Sequence, residues 1–155
     1  MSAYVRLARL PPPNLTDVDI EPCIRRVVGL ETRLPVRIRS GPTVTVRADK
    51  DQLEQALINL VSNAADAVVE TDGSVEISWC LDGSMLQILV EDGGAGLADT
   101  NNLFVPFYTT KENGSGIGLV LSQHIAENHQ GSLALENRTD APGARARLIL
   151  PLAGR

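Results

Sequence analysis

The stretch Asp49–Val69, DKDQLEQALINLVSNAADAVV, decides how the rest of the chain is read. Asp49 is an N-cap candidate, and Asp51 and Glu54 put negative charge in the first turn, where the helix dipole favours it. Leu53, Ala56, Leu57, Leu60, Val61, Ala64 and Val68 recur at three- and four-residue steps and form one apolar stripe. Asn59 and Asn63 stand off that stripe, one turn apart, about 6 Å along the axis at ~1.5 Å per residue. Asparagine is a middling helix former because its amide competes for backbone hydrogen bonds, so two stacked in mid-helix call for a reason. Two reasons are open here. The pair is a solvated polar face, or it is a pair of neutral oxygens able to hold a hard cation and the phosphates that cation carries.

Composition narrows the classes. The chain has 155 residues, 43% of them hydrophobic, enough for one domain with a core. A formal net charge of −5 argues against nucleic acid or an anionic membrane as the main partner. No apolar run approaches the ~20 residues of a membrane span, and no secretory signal opens the sequence. Cys23 and Cys80 lack metal-ligand spacing and read as buried, unpaired thiols in a reducing compartment. Two histidines distant from both cysteines argue against zinc.

Around the central helix the elements follow from periodicity. Asp19–Leu30 reads as a helix with Asp19 as cap, Pro22 in its first turn and Ile20, Ile24, Val27 and Val28 facing inward. Val36–Arg39 and Thr43–Arg47 alternate as short strands around Ser40-Gly41-Pro42, which reads as a hairpin. Ser74–Leu81 and Met85–Glu91, joined by Asp82-Gly83-Ser84, read as another. Ser132–Glu136 and Ala144–Leu150 are two further strands that close the sheet. Met1–Leu10 reads either as the last turns of a helix or as a tail, and Pro11, Pro12 and Pro13 end it as a linker.

Two glycine clusters carry the remaining signal. Glu91-Asp92-Gly93-Gly94-Ala95-Gly96-Leu97 ends a strand in backbone that needs positive φ or close approach to something. A tight turn capped by Asp92 is the alternative reading of that stretch. Asn113-Gly114-Ser115-Gly116-Ile117-Gly118-Leu119 opens a helix running from Ile117 to about Asn128. Alternate glycines entering a helix expose backbone N–H groups that suit phosphate oxygens, and Lys111 adds a point charge nearby. Between the clusters, Leu103–Lys111 (LFVPFYTTK) holds both phenylalanines, Phe104 and Phe107. The second cluster is neither a dinucleotide fingerprint, which needs a preceding strand, nor a P-loop, which needs G-x-x-x-x-G-K-[ST].

N-x-x-x-N on a helix, then D-x-G-x-G, then an aromatic lid, then G-x-G-x-G, in this order, resembles the catalytic ATP-binding domain of sensor histidine kinases. These belong with gyrase, Hsp90 and MutL in one ATPase superfamily. The resemblance covers roughly Asp19–Leu152, and the short lid running almost directly into the second cluster is similar to that of kinases of the nitrogen-regulation type. It implies an α/β (α+β) two-layer sandwich of the Bergerat type. In that fold a mixed, largely antiparallel sheet has helices on one face, and the nucleotide lies between helices and lid.

The resemblance also implies roles. Asp92 accepts a hydrogen bond from the adenine amino group, and Gly94, Gly96 and Leu97 border the base. Asn63 coordinates Mg²⁺, and Asn59, the one position expected to act in catalysis, helps hold the metal and the transferring phosphoryl. Phe107, Thr109, Thr110, Lys111, Gly114, Ser115, Gly116, Ile117, Gly118 and Leu119 form the lid and phosphate cradle. In the gyrase and Hsp90 branch a glutamate stands at the Asn59 position. Asparagine is no general base at pH 7, which favours phosphoryl transfer over hydrolysis.

There are departures from the family pattern. Gly93 stands where asparagine is usual, Gln130 replaces the first glycine of the usual His-Gly-Gly, and Asp66 stands where many relatives carry a lysine near the phosphates. Asp66 is read as solvated. His124 and His129 are not followed by Glu or Asp as the family's phosphoacceptor is, so both are read as structural and the phosphoacceptor as absent from this chain. The expected arrangement is the end of a dimerisation helix plus linker over residues 1–14 and a catalytic domain over 15–155. The expected function is a protein-histidine kinase catalytic domain that binds Mg·ATP and donates the γ-phosphoryl to a histidine on a separate dimerisation domain. Its partners would be that domain and a response regulator, with no nucleic acid and no membrane contact. The isolated domain is expected to be a monomer and cytoplasmic, whether or not the whole bacterial sensor is membrane-anchored. The competing expectations are a hydrolysing ATPase of the same fold and a nucleotide-dependent partner-binding module without turnover.

Overall fold

The apolar stripe of the central helix is buried along its whole length: Leu53, Ala56, Leu57, Leu60, Val61, Ala64 and Val68 are each at most 5% exposed. The computed structural model describes residues 10–69, 73–94 and 117–152. Within them the chain runs β1 (Thr16–Asp19), α1 (Ile20–Leu30), β2 (Val36–Arg39), β3 (Thr45–Ala48), α2 (Lys50–Val68), β4 (Val75–Asp82), β5 (Met85–Asp92), α3 (Ile117–Asn128), β6 (Ser132–Asn137) and β7 (Ala144–Pro151). Asp49 caps α2 as the sequence requires, its Oδ1 accepting the Gln52 N–H at 3.1 Å.

The main sheet has the order β2-β4-β5-β7-β6; β2 and β4 are parallel and every other pair is antiparallel. Its strands alternate. Ile77, Trp79, Leu86, Ile88, Val90, Leu148 and Leu150 point into the core with the inner faces of α1 and α2, while Gln87, Leu89, Arg145 and Arg147 lie on the other side, half-buried. A sheet with one covered face and one polar face produces this pattern, and the expected two-layer fold is what forms. At the β4–β5 turn Asp82 pairs with Met85, leaving Gly83 and Ser84 as the loop. Gly83 takes φ 61° at the first loop position, where this tight connection demands glycine.

β2 and β3 are not a hairpin. β3 pairs with β1 in a separate two-stranded sheet, whereas β2 lies beside β4 in the main one. The reason lies at Gly41 and Pro42. A Cβ on Gly41 would sit 2.1 Å from the Trp79 carbonyl oxygen, and the Trp79 indole N–H donates to the Pro42 carbonyl at 2.8 Å. The segment is pinned flat against β4 and carries the chain from one sheet to the other. Asp19 does occupy the N-cap position of α1 but makes no side-chain cap; its carboxylate takes the Thr45 hydroxyl at 2.7 Å instead. Cys23 is buried as expected, but Cys80 is exposed, because it falls on the outward parity of β4 next to inward Trp79.

α3 ends at Asn128 in a Schellman turn: the Gly131 N–H reaches Ala126 O at 2.8 Å and the Gln130 N–H reaches Glu127 O at 3.0 Å. Gln130 sits at the left-handed position of that turn, φ 62°, where glycine is usual. Gly131 is not replaceable, since its Cβ would lie 2.0 Å from Ile149 O. Beyond β7, the Leu152 N–H donates to Ser84 O at 3.0 Å and its carbonyl accepts the Arg47 N–H at 3.2 Å, joining the small sheet to the large one. Among the described residues no helix is long and apolar enough to cross a membrane.

Candidate functional site

Polar ties run the length of α2 and α3. His129 Nε2 accepts the Asp49 N–H at 3.0 Å, Asn128 Nδ2 donates to Gln52 Oε1 at 2.9 Å, and the buried Ser122 hydroxyl donates to Ala56 O at 3.4 Å. At the other end, Asn59 Nδ2 donates to Gly118 O at 3.3 Å. Residue numbers rise along α2 as they fall along α3, so the helices are antiparallel, and the first turn of α3 lies against Asn59. The Asn59 amide is oriented from its other side by Gln55, whose Nε2 donates to Oδ1 at 3.0 Å. Asn59 and Asn63 are both half-buried on this face, neither in the core nor fully solvated.

Asp66, three residues beyond Asn63, is not a free solvated carboxylate. Arg33, from the connection after α1, binds it through Nη1, reaches Ser62 O at 3.2 Å and Ser62 Oγ at 3.3 Å, and also holds Glu31 at 3.0 Å. That hydrogen bonding keeps the Glu31 carboxyl below its ordinary range. The polar face of α2 thus carries a fixed guanidinium that spacing within the helix does not reveal.

The second half of the site is the end of β5. Asp92 is only 6% exposed. Its Oδ1 accepts the Gly94 N–H at 2.9 Å and the Ala144 N–H at 3.3 Å, and among the described residues none donates to Oδ2. Burial pushes its carboxyl above the ordinary aspartate range, against the pull of those two N–H groups and of Arg138. The backbone is clasped as tightly as the side chain: Arg138 Nη1 donates to Asp92 O at 3.3 Å, and a Cβ on Gly143 would lie 1.9 Å from that same oxygen. Gly143 has φ 124°, open only to glycine. A Cβ on Gly94 would come within 3.0 Å of Ala67 O, so this turn packs on the last part of α2. Asn59 and Ala67 are eight residues apart, so the first turn of α3 and the Asp92 turn contact α2 about 12 Å from each other.

The structure therefore brings Asn59, Asn63, Asp92, Gly94, Gly118 and Leu119 along one side of α2, with Ile117 opening α3. Gly96, Leu97, Phe104, Phe107, Thr109, Thr110, Lys111, Gly114, Ser115, Gly116, residues 1–9 and the side chain of Ile117 lie outside the described residues. Sequence reasoning missed Gln55, Arg138, Gly143 and Ala144. Pro142-Gly143 is a legible turn signal, but nothing in its spacing points to Asp92. Among the described residues no cluster of His, Cys, Asp and Glu could hold a metal, so a cation here would rest on amide oxygens and on its ligand.

Residues 48–154 match the family described as histidine kinase-, DNA gyrase B-, and HSP90-like ATPase. The chain belongs to that family. Within it, the chain is 32% identical to nitrogen regulation protein NtrY of Azorhizobium caulinodans over 97% of its length and 21% of that protein. It is 38% identical to the signal transduction histidine-protein kinase AtoS of Escherichia coli over 69% of its length and 18% of that protein. It thus spans about a fifth of the curated relatives it matches. Among solved structures, the nucleotide-free catalytic domain of histidine kinase ThkA superposes with a TM-score of 0.78 at 26% identity, covering 90% of this chain and 97% of that one. Full-length ShkA in complex with AMPPNP gives 0.82 at 26% identity, covering 98% of this chain and 34% of that one. The chain is a nucleotide-using ATPase domain of the histidine kinase type.

Proposed function

We propose that this ATPase domain binds Mg·ATP along α2 and donates the γ-phosphoryl to a histidine on a separate dimerisation domain, from which a response regulator is served. The observation that carries the reading is the state of Asp92: two backbone N–H groups lock Oδ1, and among the described residues none donates to Oδ2. An exocyclic amino group is the donor such an oxygen suits. The nucleotide then runs along α2 towards Asn59 and the start of α3, whose backbone N–H groups and dipole favour phosphate.

The metal fits the residues present. Asn63 and Asn59 offer neutral amide oxygens, the hard donors that Mg²⁺ accepts alongside water and phosphate. Asn59 Oδ1 keeps a lone pair beyond the one it gives Gln55. When bound, Mg²⁺ would neutralise phosphate charge; the chain's own part is to hold the nucleotide in place, since phosphoryl transfer is mostly positioning and electrostatics.

Neither histidine is a suitable acceptor. His129 is buried, with Nδ1–H donating to Ile125 O at 2.8 Å and Nε2 occupied by Asp49 N–H. His124 lies six residues past Gly118, which meets Asn59, about 9 Å down the axis at ~1.5 Å per residue. Transfer needs the acceptor nitrogen in line and near ~3 Å. The isolated chain should therefore bind Mg·ATP, turn it over slowly and incorporate no acid-labile phosphate, and a histidine-bearing helix hairpin supplied in trans should become labelled. Fast steady-state hydrolysis would favour the ATPase reading instead. Labelling of His124 or His129 would overturn the division of labour.

A further inference from the structure

Ser62 and Asp66 form a row on α2 beside the row of Asn59 and Asn63. Asn59 and Ser62 are three residues apart, as are Asn63 and Asp66, so each pair is about 5–6 Å apart at Cβ. A bare carboxylate at Asp66 would therefore stand one turn from Asn63, on the face proposed to hold an anionic nucleotide. Little charge nearby offsets it. The chain's net charge is −5. The one basic residue of α2, Lys50, lies nine residues before Asn59, about 14 Å down the axis.

Arg33 changes the charge at this place. It comes from the connection after α1, outside α2, and every nitrogen of its guanidinium is engaged. Nη1 donates to Asp66 Oδ1, and Nη2 donates to Ser62 O at 3.2 Å, Ser62 Oγ at 3.3 Å and Glu31 Oε1 at 3.0 Å. Nε donates to Glu31 Oε2 at 3.2 Å, and the Arg33 backbone N–H donates to the same oxygen at 2.8 Å. Glu31 thus seats the guanidinium from behind; its side chain is 8% exposed, against 28% for Asp66. A fork held in this way is directed at the protein rather than at a ligand. From here it cancels the Asp66 charge and fixes the direction of that carboxylate.

We propose that Arg33 is a positioning residue for the nucleotide's phosphates: through Asp66 it masks a carboxylate that would otherwise repel them beside Asn63. The role rests on the reading that Mg·ATP binds along α2, and adds to it a residue from outside every motif. The Arg33–Asp66 pair is partly exposed, so its effect is local and is screened by salt over about 8–10 Å.

Nucleotide titrations separate this role from a purely structural one. Glu31→Gln with Arg33→Met removes one negative and one positive charge, leaving the net charge unchanged and Asp66 bare. Calorimetry at about 50 mM salt should show this double variant binding both Mg·ATP and metal-free ATP about threefold or more weakly than the native chain, with the difference fading by about 500 mM. Adenosine, which lacks phosphate, should keep its native affinity in an amide-shift titration. Adding Asp66→Asn should restore Mg·ATP affinity. In the otherwise native chain, Asp66→Asn should change Mg·ATP affinity by less than about twofold, because the charge it removes is already cancelled. That single variant decides the matter if circular dichroism shows the double variant unfolded. Unchanged or tighter Mg·ATP binding by the folded double variant would overturn the role of Arg33. So would equal weakening of adenosine, no rescue by Asp66→Asn, or tightening beyond twofold by Asp66→Asn alone. A native chain that binds no Mg·ATP would overturn the nucleotide reading itself, and this role with it.

Discussion

The two ends of the candidate site are built differently. At the Asp92 end every backbone neighbour is committed: Gly94 and Ala144 fix the carboxylate, Arg138 holds the carbonyl, and Gly143 closes over it with no room for a Cβ. At the Asn59 end, among the described residues, the side chain meets the exposed Gln55 amide at 3.0 Å and the Gly118 carbonyl at 3.3 Å. The first end is a preformed socket whose shape survives without a ligand. The second is held more lightly at Asn59, through side-chain contacts alone. On the proposed function, recognition and reaction geometry would be separated along one helix, with rigidity placed where selectivity is needed.

That comparison can be broken most forcefully at the socket. Gly143→Ala forces a Cβ into Asp92 O at a φ suited to glycine alone. We expect a loss of about 3 kcal/mol in urea unfolding, with nucleotide affinity lost as well. Native-like stability would mean that the clasp is not rigid.

Asp92→Asn keeps the size and removes the charge. If Asp92 meets the adenine amino group, calorimetry should show ATP affinity falling at least tenfold, about 1.4 kcal/mol, with the fold intact. The same variant tests the linkage. A buried aspartate with a raised pKa binds its proton more tightly folded than unfolded. Its contribution is therefore full below the unfolded pKa of about 3.9 and is lost as pH rises through the folded value. In the native chain stability should fall over that window just above the ordinary carboxylate range, and in Asp92→Asn that part of the slope should be absent.

At the other end, Asn63→Ala should weaken Mg·ATP by about tenfold, about 1.4 kcal/mol, and leave metal-free nucleotide nearly unchanged. Equal weakening of both would move Asn63 out of the metal's reach. The smallest expected effect is a control away from both ends. Gln130→Gly relieves a left-handed residue in the turn after α3 and should stabilise by about 1 kcal/mol without changing nucleotide affinity.

Local periodicity made most of the fold legible. The stripe on α2 and the alternation over Val75–Trp79 need no distant information, and attention to that alternation would also have placed Cys80 outside, next to inward Trp79. What remained hidden depends on residues far apart in the chain. Ser40-Gly41-Pro42 carries the same turn signal whether it closes a hairpin or crosses between sheets; Trp79 decides, and only the fold brings it there. The site divides likewise. Asn59, Asn63 and Asp92 announce themselves by motif. The Arg138–Ala144 clasp becomes visible only when β7 lies beside β5, and Arg33 over Asp66 only when the segment after α1 meets α2.

Leu152 sets a constraint on when the domain can be finished. Its two backbone hydrogen bonds join Arg47 to the Ser84 turn, and they form only after Leu152 itself has been made. During synthesis the early strands β1 and β3 can pair, but their attachment to the main sheet waits for about a hundred further residues. β5, at the sheet's centre, waits likewise for β7. Contacts of such long sequence separation slow folding and leave strand edges unpaired in the nascent chain. The domain therefore closes in one late step, once Leu152 is available, rather than by stepwise growth.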